Sequence, residues 1–177
     1  FDQSDLAGGR EFLPEPIPAD PFPLVLSWFN DAATRAVQPN PNAFSLATID
    51  PDGAPAVRIL LCKAIDPAAG AIVFFTNYSS RKGQALLANP RAAACFHWDA
   101  LDRQVRLEGV VSKVSEKMSD EYFASRPLES RIGAWASEQS RPIGSRAEMQ
   151  AKVAQTMKRF GVEGAQDGKA PIPRPPH

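Results

Sequence analysis

The sequence predicts a mainly β, α+β fold, an antiparallel barrel of short strands with helices packed outside it. Three observations lead there. Between residues 43 and 114, β-rich runs follow one another closely, most of them bounded by turn or breaker residues. Helical spacing appears before and after that stretch. The 177 residues suffice for one domain with a sizeable core, are short for two, and contain no internal repeat.

The elements follow in order. Residues 14–23, "PEPIPADPFP", and 171–177, "PIPRPPH", are too proline-rich for a helix or a central strand. They are expected to lie on the surface or reach a partner. Residues 1–19 then form an N-terminal arm and 161–177 a proline-rich tail of a single domain spanning 1–177. From 22 to 37, Leu24, Trp28, Phe29, Ala32 and Ala36 recur at helical spacing, with Asp20 a candidate cap ahead of Pro21. Strands are expected at 43–49 ("AFSLATI") and, after the turn "DPDG", at 54–63 ("APAVRILLCK"). Further strands are expected at 71–77 ("AIVFFTN"), at 91–98 ("RAAACFHW") and at 103–114, which alternates around Val105, Leu107 and Gly109. Residues 80–89 suggest a short helix stopped by Pro90. After Val114 the pattern is helical. "SEKMSDEYFASRP" opens with a Ser cap and an acidic first turn, "LESRIGAWASEQS" follows, and 145–160 places Met149, Val153, Met157 and Phe160 on one side.

Composition excludes several classes of partner. Lys+Arg and Asp+Glu are both 20, so no global field draws in nucleic acid or an anionic membrane, and any anion recognition must be local. Cys62 and Cys95 sit inside apolar runs and are expected to be reduced core thiols of an intracellular, cytoplasmic protein. No apolar segment approaches the roughly 18 residues of a membrane span, and no signal peptide is expected before the fold. The chain starts at Phe1 rather than Met, so the natural N-terminus is expected upstream. The histidines are His97 and His177, too few beside Cys95 to close a metal site. Neither a nucleophile elbow nor a glycine-rich phosphate loop is present.

"FFTNYSSRKGQ" at 74–84 carries the most specific chemistry. A strand end feeding a helix start offers free backbone N–H groups and the positive end of the helix dipole. Ser80, Arg81 and Lys82 add a hydroxyl and two cations. Two cations at a helix N-terminus cost stability unless an anion binds there, so the stretch points to a phosphate site over a solvated helix start. In "RILLCK", Arg58 and Lys63 are five apart and of opposite parity. They serve two different anions, or a bulge separates them, or both merely cap the strand at its wet ends. "RQVRLEG" puts Gln104 and Arg106 on one strand face, suited to a heterocycle or simply to solvent. Tyr122, Arg126 and Ser130 fall at i, i+4 and i+8, one phosphate-gripping stripe if the helix survives Pro127 and otherwise an ordinary amphipathic face.

"RILLCK", "FFTNYSSRKG", "RQVRLEG", "YFASRPLESRIGAWASEQS" and, more weakly, "NAFSLATIDPDGAPAVR" together resemble the pyridoxamine/pyridoxine 5′-phosphate oxidase family of flavin mononucleotide (FMN) enzymes. In order and spacing they cover roughly residues 20–176. The resemblance implies an FMN-binding split β-barrel homodimer with flavin sites at the subunit interface. It assigns Arg58, Arg81, Lys82 and Ser140 to the FMN phosphate, and Phe75, Thr76, Gln104 and Gln139 to the flavin or its ribityl chain. Lys63, Tyr122, Arg126 and Ser130 would take the substrate phosphate. Phe75 departs from the family, where Tyr is often found. The family also continues past a segment like "PIPRPPH" into a Trp-Gly-Gly stretch and a strand pair bearing an Arg-x-His motif. This sequence ends before it, and loss of that segment is expected rather than a shortened relative.

The implied activity is oxidation of pyridoxamine or pyridoxine 5′-phosphate to pyridoxal 5′-phosphate by hydride transfer to FMN. O2 is the final acceptor, giving H2O2. The family supplies the substrate (a vitamin B6 phosphate) and the cofactor, and no residue is compelling as a general base. Two alternatives stand beside it: a sister flavin oxidase acting on another ring, such as a phenazine-pathway intermediate, and a protein that binds FMN or a vitamin B6 phosphate without turnover.

Overall fold

The computed structural model describes residues 13–164 and 170–176. Residues 1–12 of the expected arm, and 165–169 and His177 of the tail, lie outside the described residues. The chain divides into two compact units. The first comprises Phe1–Ile49, Pro55–Phe75 and Arg91–Val110, and the second Asp50–Ala54, Thr76–Pro90 and Val111–His177.

The first unit carries helix α1 (Phe22–Thr34) and strands β1 (Ala43–Ile49), β2 (Pro55–Asp66), β3 (Ala71–Phe74), β4 (Arg91–Trp98) and β5 (Arg103–Val110). A single turn of 3-10 helix, Asp99–Leu101, joins β4 to β5. The strands form one antiparallel sheet in the order β3-β2-β1-β4-β5, curled into a half-barrel. Alternation along β1 explains its central place: Phe44, Leu46 and Thr48 are buried while their neighbours are not. Phe44 lies 5.7 Å from Phe74 and 5.3 Å from Phe96, ring centre to ring centre, and Phe96 stacks on Trp98 at 5.4 Å. Such aromatic pairs add to the burial of their area. Trp98 satisfies its indole N–H on the Pro41 carbonyl at 2.7 Å, so its burial leaves no orphan donor. Cys62, buried in the same core, donates to the Ala64 carbonyl at 3.2 Å, and burial pushes its thiol up to about 11. Both cysteines are free thiols, with Cys95 only partly buried.

The first helix ends at Thr34, three residues short of the expected limit, because Ala36 takes a left-handed φ of 48°. Asp20 supplies the expected capping bond by accepting the Phe22 N–H at 2.9 Å, although Pro21 occupies the cap position itself. β5 also stops early, at Val110 rather than 114. Its partner β4 starts at Arg91, which pairs with Val110, and the preceding Pro90 has no N–H to extend the ladder. Only the Val111 N–H still reaches the Pro90 carbonyl, at 2.8 Å.

The second unit carries α2 (Arg81–Ala88), α3 (Glu116–Ser125), α4 (Leu128–Ala136) and α5 (Arg146–Phe160). Ser80, Ser115 and Ser145 cap α2, α3 and α5, each hydroxyl accepting a backbone N–H three residues on. Gly161 closes α5 at a φ of 64°, the left-handed position that favours glycine. Phe123, Leu128, Ile132, Val162 and Ile172 form the core of this unit. The tail 170–176 therefore lies on its own unit. Ile172 is buried, Trp135 donates to the Pro173 carbonyl at 2.8 Å, and Arg174 pairs with Asp120 at 2.7 Å.

Candidate functional site

Residues 76–80 form a tight turn into α2. The Asn77 carboxamide oxygen accepts the Ser79 N–H at 2.7 Å and its hydroxyl at 2.6 Å. The Asn77 carbonyl accepts the Ser80 hydroxyl at 2.6 Å. Ser80 Oγ then accepts the Gly83 N–H at 3.3 Å, which starts the helix. The turn packs so closely on the helix that a Cβ at Gly83 would lie 2.2 Å from the Tyr78 carbonyl oxygen. From the other side, the Lys113 ammonium sits 4.7 Å from the centre of the Tyr78 ring.

This turn fixes the two adjacent cations differently. Lys82 is buried at 7% exposure, and its ammonium donates to Gln139 Oε1 at 2.7 Å and Ser80 Oγ at 3.4 Å. Thr76 donates to the same Gln139 oxygen at 3.2 Å. Three expected residues, Thr76, Lys82 and Gln139, thus meet at one oxygen. Arg81 points elsewhere, its Nε donating to Asp50 Oδ2 at 2.7 Å with Nη2 on the same oxygen. That hydrogen bond, and then the charge of Asp50, strengthen the guanidinium's hold on its proton. Ser140 follows Gln139 with a φ of 68°, a left-handed conformation uncommon for a residue with a Cβ.

In the first unit Arg58 is half-buried on β2, its Nη1 donating to Thr48 Oγ1 at 2.8 Å and to the Leu46 carbonyl at 3.1 Å. Phase along β2 changes at Lys63. Cys62 pairs with Phe74 and Ala64 with Val73, so Lys63 is the extra residue of a β-bulge. A bulge, one of the readings that the parity of Arg58 and Lys63 allowed, is therefore present, and it falls at Lys63 itself. Gln104 and Arg106 share the exposed face of β5 opposite buried Val105, with Arg106 donating to Glu108 at 2.9 Å. Phe75 is half-buried just after β3.

The single stripe of Tyr122, Arg126 and Ser130 needs correction. α3 ends at Ser125, Arg126 is extended at ψ 148°, and Pro127 stands at the N-cap of α4. The Pro ring disfavours a helical residue before it, and Arg126 is extended, so period-3.6 spacing does not carry across. Tyr122 lies on α3, Arg126 at the break with its guanidinium 5.7 Å from the Phe123 ring centre, and Ser130 in the first turn of α4. All three are half-buried.

Residues 31–159 match the family model described as pyridoxamine 5′-phosphate oxidase. The chain belongs to the pyridoxamine 5′-phosphate oxidase family. A pyridoxine/pyridoxamine 5′-phosphate oxidase of Cupriavidus metallidurans is 52% identical over 158 residues, covering 89% of this chain and 69% of the relative. One of Rhodospirillum rubrum is 51% identical over 162 residues, 89% of this chain and 76% of the relative. Among solved structures, PhzG from Burkholderia lata 383 in complex with tetrahydrophenazine-1-carboxylic acid matches with a TM-score of 0.77 and 26% identity. That match covers 99% of this chain and 76% of PhzG. A pyridoxamine 5′-phosphate oxidase-related, FMN binding protein of Nostoc punctiforme shares the fold, with a TM-score of 0.52 and 19% identity over 69% of this chain and 70% of that one.

Membership of the oxidase family implies a flavin, and the donor set at α2 suits a phosphorylated one. α2 has no acidic residue in its first turn, and two cations and a hydroxyl stand at its positive end, with Asp50 hydrogen-bonded to Arg81. Thr48 and Asp50 escaped the sequence reading, which saw a strand end and a turn. Parity along "ATID" puts Thr48 inward, but nothing local couples Asp50 to a residue 31 positions on.

Proposed function

We propose that this protein is an FMN-dependent oxidase that converts pyridoxamine 5′-phosphate or pyridoxine 5′-phosphate to pyridoxal 5′-phosphate, with O2 as acceptor and H2O2 as product. The observation that carries the reading is the convergence of Thr76, Lys82 and Gln139 beside the Ser80 cap, with Arg81 next along the helix. A buried ammonium at a helix start is costly unless it has a task, and binding a dianionic phosphate is one. Arg58, Arg81, Lys82 and Ser140 would hold the FMN phosphate. Phe75, Thr76, Gln104 and Gln139 would contact the flavin or its ribityl chain, and Lys63, Tyr122, Arg126 and Ser130 would grip the substrate phosphate. When bound, FMN would supply the acceptor for a hydride from the substrate's C4′ carbon, with the electron pair passing to O2 as H2O2; for pyridoxamine 5′-phosphate water would also be consumed and the amine nitrogen released as ammonia. The chain's own contribution is to orient the two partners and neutralise two phosphates. One cofactor-binding domain over 1–177 and a cytoplasmic setting belong to the same proposal. Among the described residues no helix is long and apolar enough to cross a membrane.

The test is peroxide release from FMN-loaded protein given pyridoxamine 5′-phosphate. Bound FMN without peroxide from either B6 phosphate would leave a binding protein instead. The likeness to PhzG supports a second reading, oxidation of a reduced phenazine carboxylic acid, so tetrahydrophenazine-1-carboxylic acid is the comparison substrate. The phosphate-suited set Lys63, Tyr122, Arg126 and Ser130 favours the B6 phosphate. Arg126→Ala should therefore lower kcat/KM by roughly tenfold to a hundredfold, mainly through KM, and leave FMN affinity unchanged. A normal KM combined with lost FMN affinity would move Arg126 to the cofactor.

A homodimer completes the proposal. Val57, Ile59 and Leu61 alternate along one face of β2 at 70%, 64% and 38% exposure, an apolar stripe that a second copy would cover. Ile59→Asp should yield monomers in sedimentation and release flavin. A monomer that retained FMN tightly would remove the dimer from the account.

A further inference from the structure

The most informative group outside the expected set is Asp50. It is 8% exposed, and its Oδ1 is buried without a hydrogen-bond partner among the described residues. A carboxylate oxygen in that state is costly to keep. Its other oxygen, Oδ2, receives both Nε and Nη2 of Arg81. The carboxylate is itself held firmly, because the Asp50 N–H donates to the Ala54 carbonyl at 2.9 Å and the Asp50 carbonyl accepts from Gly53 at 2.8 Å. Arg81, by contrast, has a side chain 63% exposed on a long flexible stem.

We infer that Asp50 is a positioning residue for the cofactor phosphate: its rigid carboxylate fixes one edge of the Arg81 guanidinium and leaves the Nη1 edge to the anion. The inference rests on the reading that Arg81 binds the phosphate of FMN. Two opposing effects have to be weighed. Asp50 repels a phosphate directly, but Arg81 is largely in water, where such repulsion is screened. Freezing a rotamer-rich side chain before binding is not screened, so orientation dominates.

The experiment titrates the apoprotein with FMN and with riboflavin in wild type, Asp50→Asn, Asp50→Ala and Arg81→Ala. Asp50→Ala should bind FMN roughly fivefold to tenfold more weakly, the cost of freezing one long side chain, with riboflavin affinity unchanged. Asp50→Asn, which keeps a neutral acceptor, should lose less. If Asp50→Ala does not fold, a reduced FMN-to-riboflavin affinity ratio in Asp50→Asn decides the matter. Unchanged or tighter FMN binding in the Asp50 variants, with Arg81→Ala weakened, would overturn the role of Asp50 and leave the cofactor reading intact. A parallel loss of both flavins would mark Asp50 as merely structural and overturn it too. An unaltered ratio in Arg81→Ala would overturn the phosphate assignment itself.

Discussion

Replacing Arg81 and Lys82 together by alanine should cost roughly a hundredfold or more in FMN affinity, because two charge-assisted contacts to a dianion disappear at once. Riboflavin, which lacks the phosphate, should bind wild type far more weakly than FMN and lose far less affinity than FMN on the double substitution. The comparison is needed because stability also changes. Removing Lys82 takes a donor from Gln139, and removing Arg81 leaves the buried Asp50 carboxylate without its guanidinium. Relief of two cations at the helix N-terminus works in the opposite direction. The ratio of FMN to riboflavin affinity, measured by flavin fluorescence on folded protein, cancels these effects. A ratio that stayed at the wild-type value would remove the phosphate clamp from this helix.

Gly83→Ala should destabilise the protein although it replaces glycine by the best helix former. Propensity alone favours alanine by about 1 kcal/mol inside a helix. Here the new Cβ would stand 2.2 Å from the Tyr78 carbonyl oxygen, 2.6 Å from its carbon and 2.8 Å from the Asn77 carbonyl oxygen. All three are backbone atoms of the turn that aims Arg81 and Lys82, so none can swing aside. Overpacking of this kind costs about 1–3 kcal/mol or more and outweighs propensity. The melting midpoint should fall by about 2–4 °C per kcal/mol for a chain of this size, and FMN affinity should fall with it. Gly133→Ala is the matched control, since it lies within α4 with nothing within 4 Å of the added carbon. It should raise stability by an amount set by propensity, roughly 0.5–1 kcal/mol, and the midpoint with it. Stabilisation by both substitutions would show that the close turn does not constrain Gly83.

The caps, the strands and the family were legible in the chain because they depend on neighbours. Ser80, Ser115 and Ser145 each reach an N–H three residues away, and alternation along β1 and β5 is a property of consecutive residues. The break at Arg126 was legible too, in Pro127, had the local rule been set above the 3.6 period. Tertiary structure alone decided which partner each site cation meets. Arg58 finds Thr48 across 10 residues, Arg81 finds Asp50 across 31, and Lys82 finds Gln139 across 57. Tertiary structure also decided that Lys63 sits in a bulge, since a bulge is a mismatch between two strands and has no signature in one. Charge and hydrogen-bond capacity are written at each position, but a long side chain can reach many acceptors. Only the path of the backbone determines which of them lies within 3 Å.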